Sequence, residues 1–504
     1  MTDDNLYAAI LVAAMAAGDK PFLIEQGRPV LGFDRIDAEA GALAARLAAL
    51  GARAGDRIVV QVEKSPDAVV LYLAALRAGI VFVPLNTAYT AAELEYFIAD
   101  AEPAIVVCRP GDEARVAAVA GAAKVVTLGD DGTGSLLDVP VTGEGPVSRA
   151  GGDAPAAILY TSGTTGRSKG AMLSHGNLLS NALTLRDLWG WRPADVLIHI
   201  LPIYHVHGLF VALHGALLAG ATVLFERGFD PDVVIGQMAR ATVLMGVPTH
   251  YTRLTAHPGL NRQAAAGMRL FVSGSAPLLA EAHRQFEAKT GQRILERYGM
   301  TETGMIASNP YDGERIAGTV GYPLPGVEVR IRDDAGAPVA SGQPGVLQVR
   351  GPNVFKGYWR NPGKTAEEFR ADESGGGWFV TGDIATAAAD GRLTLVGRAK
   401  DLVIAGGLNV YPKEIEELVD ALPGVAETAV IGVPHADLGE AVVAVVARQP
   451  GADLDEERVL AGIAGALARF KQPRRVIVVD ALPRNAMGKV QKAALRAEYS
   501  GLFG

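Results

Sequence analysis

A strand-like apolar run, Ala156–Leu159, leads directly into Thr161, Ser162, Gly163, Thr164, Thr165 and Gly166, and the same segment closes on Lys169 and Gly170. Glycines let the backbone fold back and present its N–H groups, hydroxyls add donors, and Lys169 adds positive charge. That combination suits a polyphosphate. The spacing is not the usual Gly-x4-Gly-Lys-[Ser/Thr], because Lys169 follows Gly166 by three residues and precedes a glycine. A kinase or GTPase of the ordinary phosphate-loop kind is therefore excluded.

Further blocks of chemically loaded residues follow in order. They are Leu201–Gly208, containing His205, Val206 and His207; Ser273–Pro277, containing Ser275, Ala276 and Pro277; Arg297–Thr303; Phe379–Asp383; Gly397–Pro412; and Pro483–Lys489. The ordered set spans nearly the whole chain and resembles the adenylate-forming superfamily of acyl-CoA synthetases, adenylation domains and luciferases.

The resemblance implies two half-reactions at one site. A carboxylate attacks the α-phosphorus of ATP and releases pyrophosphate, and a thiol then cleaves the acyl-adenylate. A carboxylate is already ionised at neutral pH, so the first half needs alignment and charge neutralisation more than proton transfer. By the same resemblance, Thr161 to Lys169 would hold the β- and γ-phosphates and Glu302 would carry Mg²⁺, to which a hard oxygen donor is suited. Ser275, Ala276, Pro277 and the run Arg297, Tyr298, Gly299, Met300 and Thr301 would wall the adenine pocket. Asp383 and Arg398 would serve the ribose, and Lys489 would reach the α-phosphate. A hinge at Lys400 would then swing Lys489 out and bring Gly406 and Gly407 in, where glycines let the pantetheine arm of CoA pass close to the backbone. Lys471 and Arg474 are candidates for the phosphates of CoA, and a plain solvated turn explains them equally well.

The acid is read from His205, His207, Arg253 and Arg297. Guanidiniums and an imidazole converging on a pocket are costly unless paired, which predicts a second, distal carboxylate on a short substrate. The same segments resemble malonyl-CoA synthetases, apart from Ile306 and Ala307, which depart from that group's usual pattern. Val206 and Met305 are expected beside C2 of the acid, making methylmalonate a second substrate. The alternatives are another short acid, or loading of a pantetheinyl carrier protein. Acylation of Lys489 would remove its charge and is the regulation this reading anticipates.

These residues need a scaffold, and 504 residues exceed what one hydrophobic core usually serves. Hydrophobic content of 49% with 20% charged residues marks an ordered chain, and a formal charge of −8 gives no general attraction to nucleic acid or an anionic membrane. The expected partners are small molecules. The one cysteine, Cys108, excludes an internal disulfide and a multi-cysteine metal site, and its Ala104–Cys108 context reads as a buried strand. An acidic N-terminus lacks a secretory signal's basic start, so the cytoplasm is expected. Gly208 to Phe225 is free of Asp, Glu, Lys and Arg, and reads as a core helix feeding a strand rather than a membrane span.

Short β-branched runs at Val59–Val62, Val81–Pro84 and Ile105–Val107 alternate with Ala/Leu-rich stretches such as Gly41–Leu50. That alternation predicts an α/β fold of mostly parallel sheets layered with helices. Ala114–Ala123 is expected to be helical, and Val329–Arg332 with Gly345–Arg350 to form a more β-rich module. Past Lys400 a separate α+β series begins at Lys413–Leu422. The expected units are residues 1–399, binding ATP and acid, and a mobile unit over 400–504.

Overall fold

The computed structural model describes residues 4–161, 168–333, 335–371, 377–405, 408–464, 466–485 and 488–503. Two parallel-centred sheets form the large unit. In the six-stranded sheet the order is Lys124–Thr127, Ile105–Cys108, Arg57–Gln61, Val81–Pro84, Pro155–Thr161, Lys169–Ser174. Only the last pair is antiparallel, and it sets Thr161 opposite Lys169. The nine-stranded sheet has a parallel centre running from Leu295–Met300 through Leu270–Ser273, Val243–Gly246, Val196–His199 and Thr222–Phe225 to Pro21–Ile24. Its margins are antiparallel.

The helix Pro66–Ala78 explains how the two sheets join. It begins at Ser65, whose side chain accepts from the Ala68 N–H, and every residue in it except Asp67 is buried. A helix apolar on all faces must be covered on all faces, and one core cluster accordingly runs through both sheets.

A β-rich module of five strands follows, in which Asp383 lies opposite Arg398 across neighbouring strands. The small unit has its own sheet, where Val425–His435 and Gly439–Arg448 form a long antiparallel pair with Arg475–Val479 added in parallel. Two core clusters lie on its two faces. Between module and small sheet stands the single turn Ala399–Asp401.

Two elements differ from expectation. Helix over 114–123 shrinks to Glu113–Ala117, in which Val116 alone is buried. The uncharged stretch after Gly208 is a π-helix, His207–Leu213, continued by the α-helix His214–Ala219 and the strand Thr222–Phe225. Gly208 is required there, because a Cβ would stand 2.1 Å from the Pro202 carbonyl oxygen. Among the described residues no helix is long and apolar enough to cross a membrane.

Candidate active site

The strand Pro155–Thr161 delivers Thr161, whose Oγ1 donates to Glu302 Oε1 at 3.4 Å. The Tyr358 hydroxyl donates to the same oxygen at 3.1 Å, and Lys169 Nζ stands 5.2 Å from the Tyr358 ring centre. Glu302 is buried, and desolvation raises its pKa. A buried carboxylate held by two hydroxyl donors is suited to a hard cation that keeps several waters in its shell. Among the described residues no cluster of three or more His, Cys, Asp or Glu could hold a metal. Ser162, Gly163, Thr164, Thr165 and Gly166 lie outside the described residues, as do Gly406 and Gly407.

A second group forms where the β-rich module meets the hairpin of strands Leu295–Met300 and Gly304–Ser308. The Tyr298 hydroxyl donates to Asp383 Oδ2. Arg398 Nε pairs with Asp383 Oδ1 at 2.5 Å, and the Asp383 N–H donates to Thr381 Oγ1 at 3.0 Å. Burial raises the Asp383 pKa against the pull of Arg398. Gly299, Met300 and Thr301 continue from Tyr298 along the partly exposed end of the hairpin, and Ala276 and Pro277 line the loop after Leu270–Ser273.

Lys489 comes from the small unit. It retains solvent-accessible surface, while the surrounding protein strips water from the rest of the side chain. That desolvation lowers its pKa, helped by the positive charges of Arg398 and Arg297 and opposed by Asp383 and Glu302. One lysine therefore lies within electrostatic reach of the ribose-type carboxylate, the metal-type carboxylate and the buried arginine.

That arginine is the centre of the third group. Arg297 is 5% exposed, and its Nε and Nη2 have no hydrogen-bond partner among the described residues. Nε and Nη2 form one edge of the planar guanidinium, the edge that grips two coplanar anionic oxygens. Burial pushes its pKa down to about 9, which leaves it charged at neutral pH. It lies against Gly274, where a Cβ would meet the guanidinium carbon at 2.3 Å, so a larger residue at 274 would displace it.

Around Arg297 stand histidines that are neutral. Burial, with Lys489 and Arg297 nearby, takes His205 to about 3. Burial, with Arg297 and the surrounding histidines, holds His207 well below its ordinary value. His205 Nδ1 accepts from the His207 N–H at 3.3 Å, which puts the His205 ring proton on Nε2 as a donor. His207 Nδ1 meets Ser275 Oγ at 3.3 Å, and its Nε2 is buried without a hydrogen-bond partner among the described residues. Ser275 holds a left-handed φ of 72°, a strained choice for a non-glycine residue. Val206 and Met305 are buried.

Two expectations need correction. Arg253 does not share the burial of Arg297. Its helix, Pro248–Ala256, buries Tyr251 and Leu254, which leaves Arg253 exposed. Lys471 is not free for a phosphate in this arrangement, because its Nζ lies 2.7 and 2.8 Å from the two carboxylate oxygens of Glu414. Arg474 is exposed, and so is Lys400, in the single turn between the units.

Several participants were not anticipated. Tyr358 has no motif around it. Asn181 accepts from the Met305 N–H and donates to its carbonyl, both at 2.9 Å, which fixes the strand beside the pocket. Buried Lys64 donates to the His199 carbonyl at 2.8 Å, and His199 Nε2 meets the Gly208 carbonyl at 3.0 Å, bracing the π-helix that carries His207.

Glu302 held by two hydroxyls, the Asp383–Arg398 pair, and Lys489 from the small unit within electrostatic reach of both make an arrangement suited to activating an acid with a nucleotide. Residues 12–359 match the family described as AMP-binding enzyme, and residues 414–489 match the AMP-binding enzyme C-terminal domain. The chain belongs to the AMP-binding enzyme family. It is 54% identical to MatB from Rhodopseudomonas palustris over 100% of both chains, with a TM-score of 0.96 against the ATP-bound structure and 0.85 against the apo structure. It is 36% identical to the sulfoacetate–CoA ligase of Cupriavidus necator over 98% of this chain and 97% of the relative. With the mitochondrial malonate–CoA ligase ACSF3 of Bos taurus it shares 34% identity over 97% of this chain and 90% of the relative.

Proposed function

We propose that the chain activates malonate with ATP and transfers the malonyl group to CoA, giving malonyl-CoA, AMP and pyrophosphate. The observation that carries this reading is Arg297, a buried cation whose bidentate edge has no hydrogen-bond partner among the described residues. A distal carboxylate supplies that partner. The neutral His205 and His207 add hydrogen bonds without adding charge, so the pocket is matched to one extra negative charge. Likeness to a malonate–CoA ligase supports the same acid.

In the first half-reaction a carboxylate oxygen of malonate forms a bond to the α-phosphorus as the bond to pyrophosphate breaks. Thr161 and Lys169, with the loop between them, hold the β- and γ-phosphates. Asp383 and Arg398 hold the ribose, and Tyr298 backs the base with its hydroxyl tied to Asp383. Mg²⁺, when bound at Glu302, supplies charge neutralisation to the phosphates. Lys489 places its ammonium between the α-phosphate and the attacking carboxylate.

In the second half-reaction the CoA sulfur attacks the acyl carbon and AMP leaves with the bridging oxygen. We assign residues 1–399 to the fixed unit and 400–504 to the mobile one, with Lys400 as hinge and Gly406 and Gly407 lining the pantetheine path. Methylmalonate fits the same reading, with its methyl beside Val206 and Met305.

Sulfoacetate is the second acid to consider. A sulfonate presents oxygens to the same guanidinium edge, and the likeness to a sulfoacetate–CoA ligase favours it over monoacids. The test is pyrophosphate release, dependent on ATP and CoA, over acetate, butyrate, malonate, methylmalonate, succinate and sulfoacetate. Malonate should lead in kcat/KM. Preference for a monoacid refutes the distal-anion reading.

A further inference from the structure

Lys489 hangs from a closed hairpin. Arg484 and Val490 form an antiparallel bridge across it. The Asn485 N–H donates to the Lys489 carbonyl at 2.9 Å, and the Lys489 N–H donates to Asn485 Oδ1 at 3.0 Å. The hairpin is tied down on both sides. Arg484 donates to the Gly488 carbonyl and pairs with Glu427 on the strand Val425–His435. Beyond Lys489, Lys492 Nζ reaches Glu416 Oε1 at 2.6 Å, and the same oxygen accepts from the Val430 N–H at 2.8 Å. Glu416 belongs to the helix Pro412–Asp420, which buries Ile415 and Val419 in the core of the small unit.

We propose that Glu427 and Glu416, acting through Arg484 and Lys492, are positioning residues that aim Lys489 during adenylate formation. The inference rests on the assignment of Lys489 to that half-reaction. A lysine side chain is long and freely rotating, so what the protein can fix is the backbone from which it hangs. A misplacement of about 1 Å in a charge-stabilising group costs up to about 100-fold in rate. Both anchors bracket that backbone, five residues before Lys489 and three after it.

Partial burial makes these pairs stronger than ordinary surface pairs. Side-chain exposure is 32% and 29% for Arg484 and Glu427, and 20% and 17% for Lys492 and Glu416. A third carboxylate, Asp420, lies beside the two glutamates and next to Thr428. Burial, with Glu416 and Glu427 adding to it, pushes its carboxyl up to about 7. Near neutral pH a large share of Asp420 is protonated, which keeps the two cations matched to two anions.

The test uses the full chain and separates the half-reactions. Malonate-dependent ATP–pyrophosphate exchange reads the first, and thioester formation from supplied malonyl-adenylate and CoA reads the second. Glu427→Gln and Glu416→Gln should each lower exchange about three- to tenfold, in kcat rather than KM, and leave the second step unchanged. Introduced into Lys489→Ala, neither should lower the residual exchange further, because a residue that acts through Lys489 has nothing left to act on. Lys492→Met cuts the second anchor while sparing the Glu416 bond to Val430, and serves if a glutamate variant fails to fold. Equal loss in both half-reactions, or an undiminished loss in the Lys489→Ala background, overturns the anchor alone. Exchange that survives Lys489→Ala intact removes the Lys489 assignment and the anchor with it.

Discussion

Replacing Arg297 with Met should move stability and activity in opposite directions. The side chain is 5% exposed and its Nε and Nη2 have no hydrogen-bond partner among the described residues. Burial brings its pKa down from the usual guanidinium range to about 9. At ~1.4 kcal/mol per power of ten in acidity, that corresponds to roughly 4–5 kcal/mol against the charged form. Screening in real sites reduces this to about 1–3 kcal/mol. Methionine keeps the length and removes the charge, so the free protein should melt at the same temperature or higher. A bound distal carboxylate loses its partner in the desolvated pocket, at a cost of roughly 2–5 kcal/mol. The kcat/KM for malonate should fall about thirtyfold to several-thousandfold, while butyrate, which never used the charge, holds or gains. Scanning calorimetry and pyrophosphate release for both acids decide the matter. A lower melting temperature together with equal loss for malonate and butyrate would make Arg297 a structural residue and refute the reasoning.

Arg253→Met, on the exposed face of its helix, should change malonate kcat/KM by less than about threefold, measured in the same assay. Lys489→Ala should lower ATP–pyrophosphate exchange by about two to three powers of ten and leave thioester formation from supplied malonyl-adenylate largely intact, and acylation of Lys489 should do the same. Lys400→Pro fixes φ in the turn between the units, and rapid-quench measurement should find adenylate formation surviving while turnover with CoA is lost. Asp420 has a folded-state pKa of about 7 against an ordinary 3.8, so between those values the folded chain keeps a proton the unfolded chain has released. Stability therefore falls as pH rises through that window, and Asp420→Asn should gain roughly 1–3 kcal/mol at about pH 8 and almost nothing at about pH 4, by denaturant titration.

The chemistry was legible in the sequence wherever it sits in contiguous blocks at strand ends. Thr161 and Asp383 belong to strands whose β-branched or apolar runs announce them, whereas Arg297 and Tyr298, in Leu-Glu-Arg-Tyr-Gly-Met, were legible through the family motif alone. Alternation of such runs with helical stretches also announced the parallel sheets. Contacts between distant segments had no local signal. Tyr358 meets Glu302 across 56 positions, and Lys471 meets Glu414 across 57. The π-helix after Val206 was equally silent, since a wider hydrogen-bond step imposes no familiar period on the residues. Arg253 was readable but misassigned. Tyr251 and Leu254, three apart, mark the buried face of their helix, and Arg253 falls outside it.

The central claim is that the carboxylate of malonate attacks the α-phosphorus of ATP at the site shared by Lys489, Glu302 and Arg297. It is tested most directly with malonate labelled with oxygen-18 in its carboxylates, in the presence of ATP, Mg²⁺ and CoA, with mass spectrometry of the nucleotide and the thioester. Malonyl-CoA should form together with AMP carrying one labelled oxygen, and the pyrophosphate should be unlabelled. Unlabelled AMP, or label in pyrophosphate or inorganic phosphate, would contradict it.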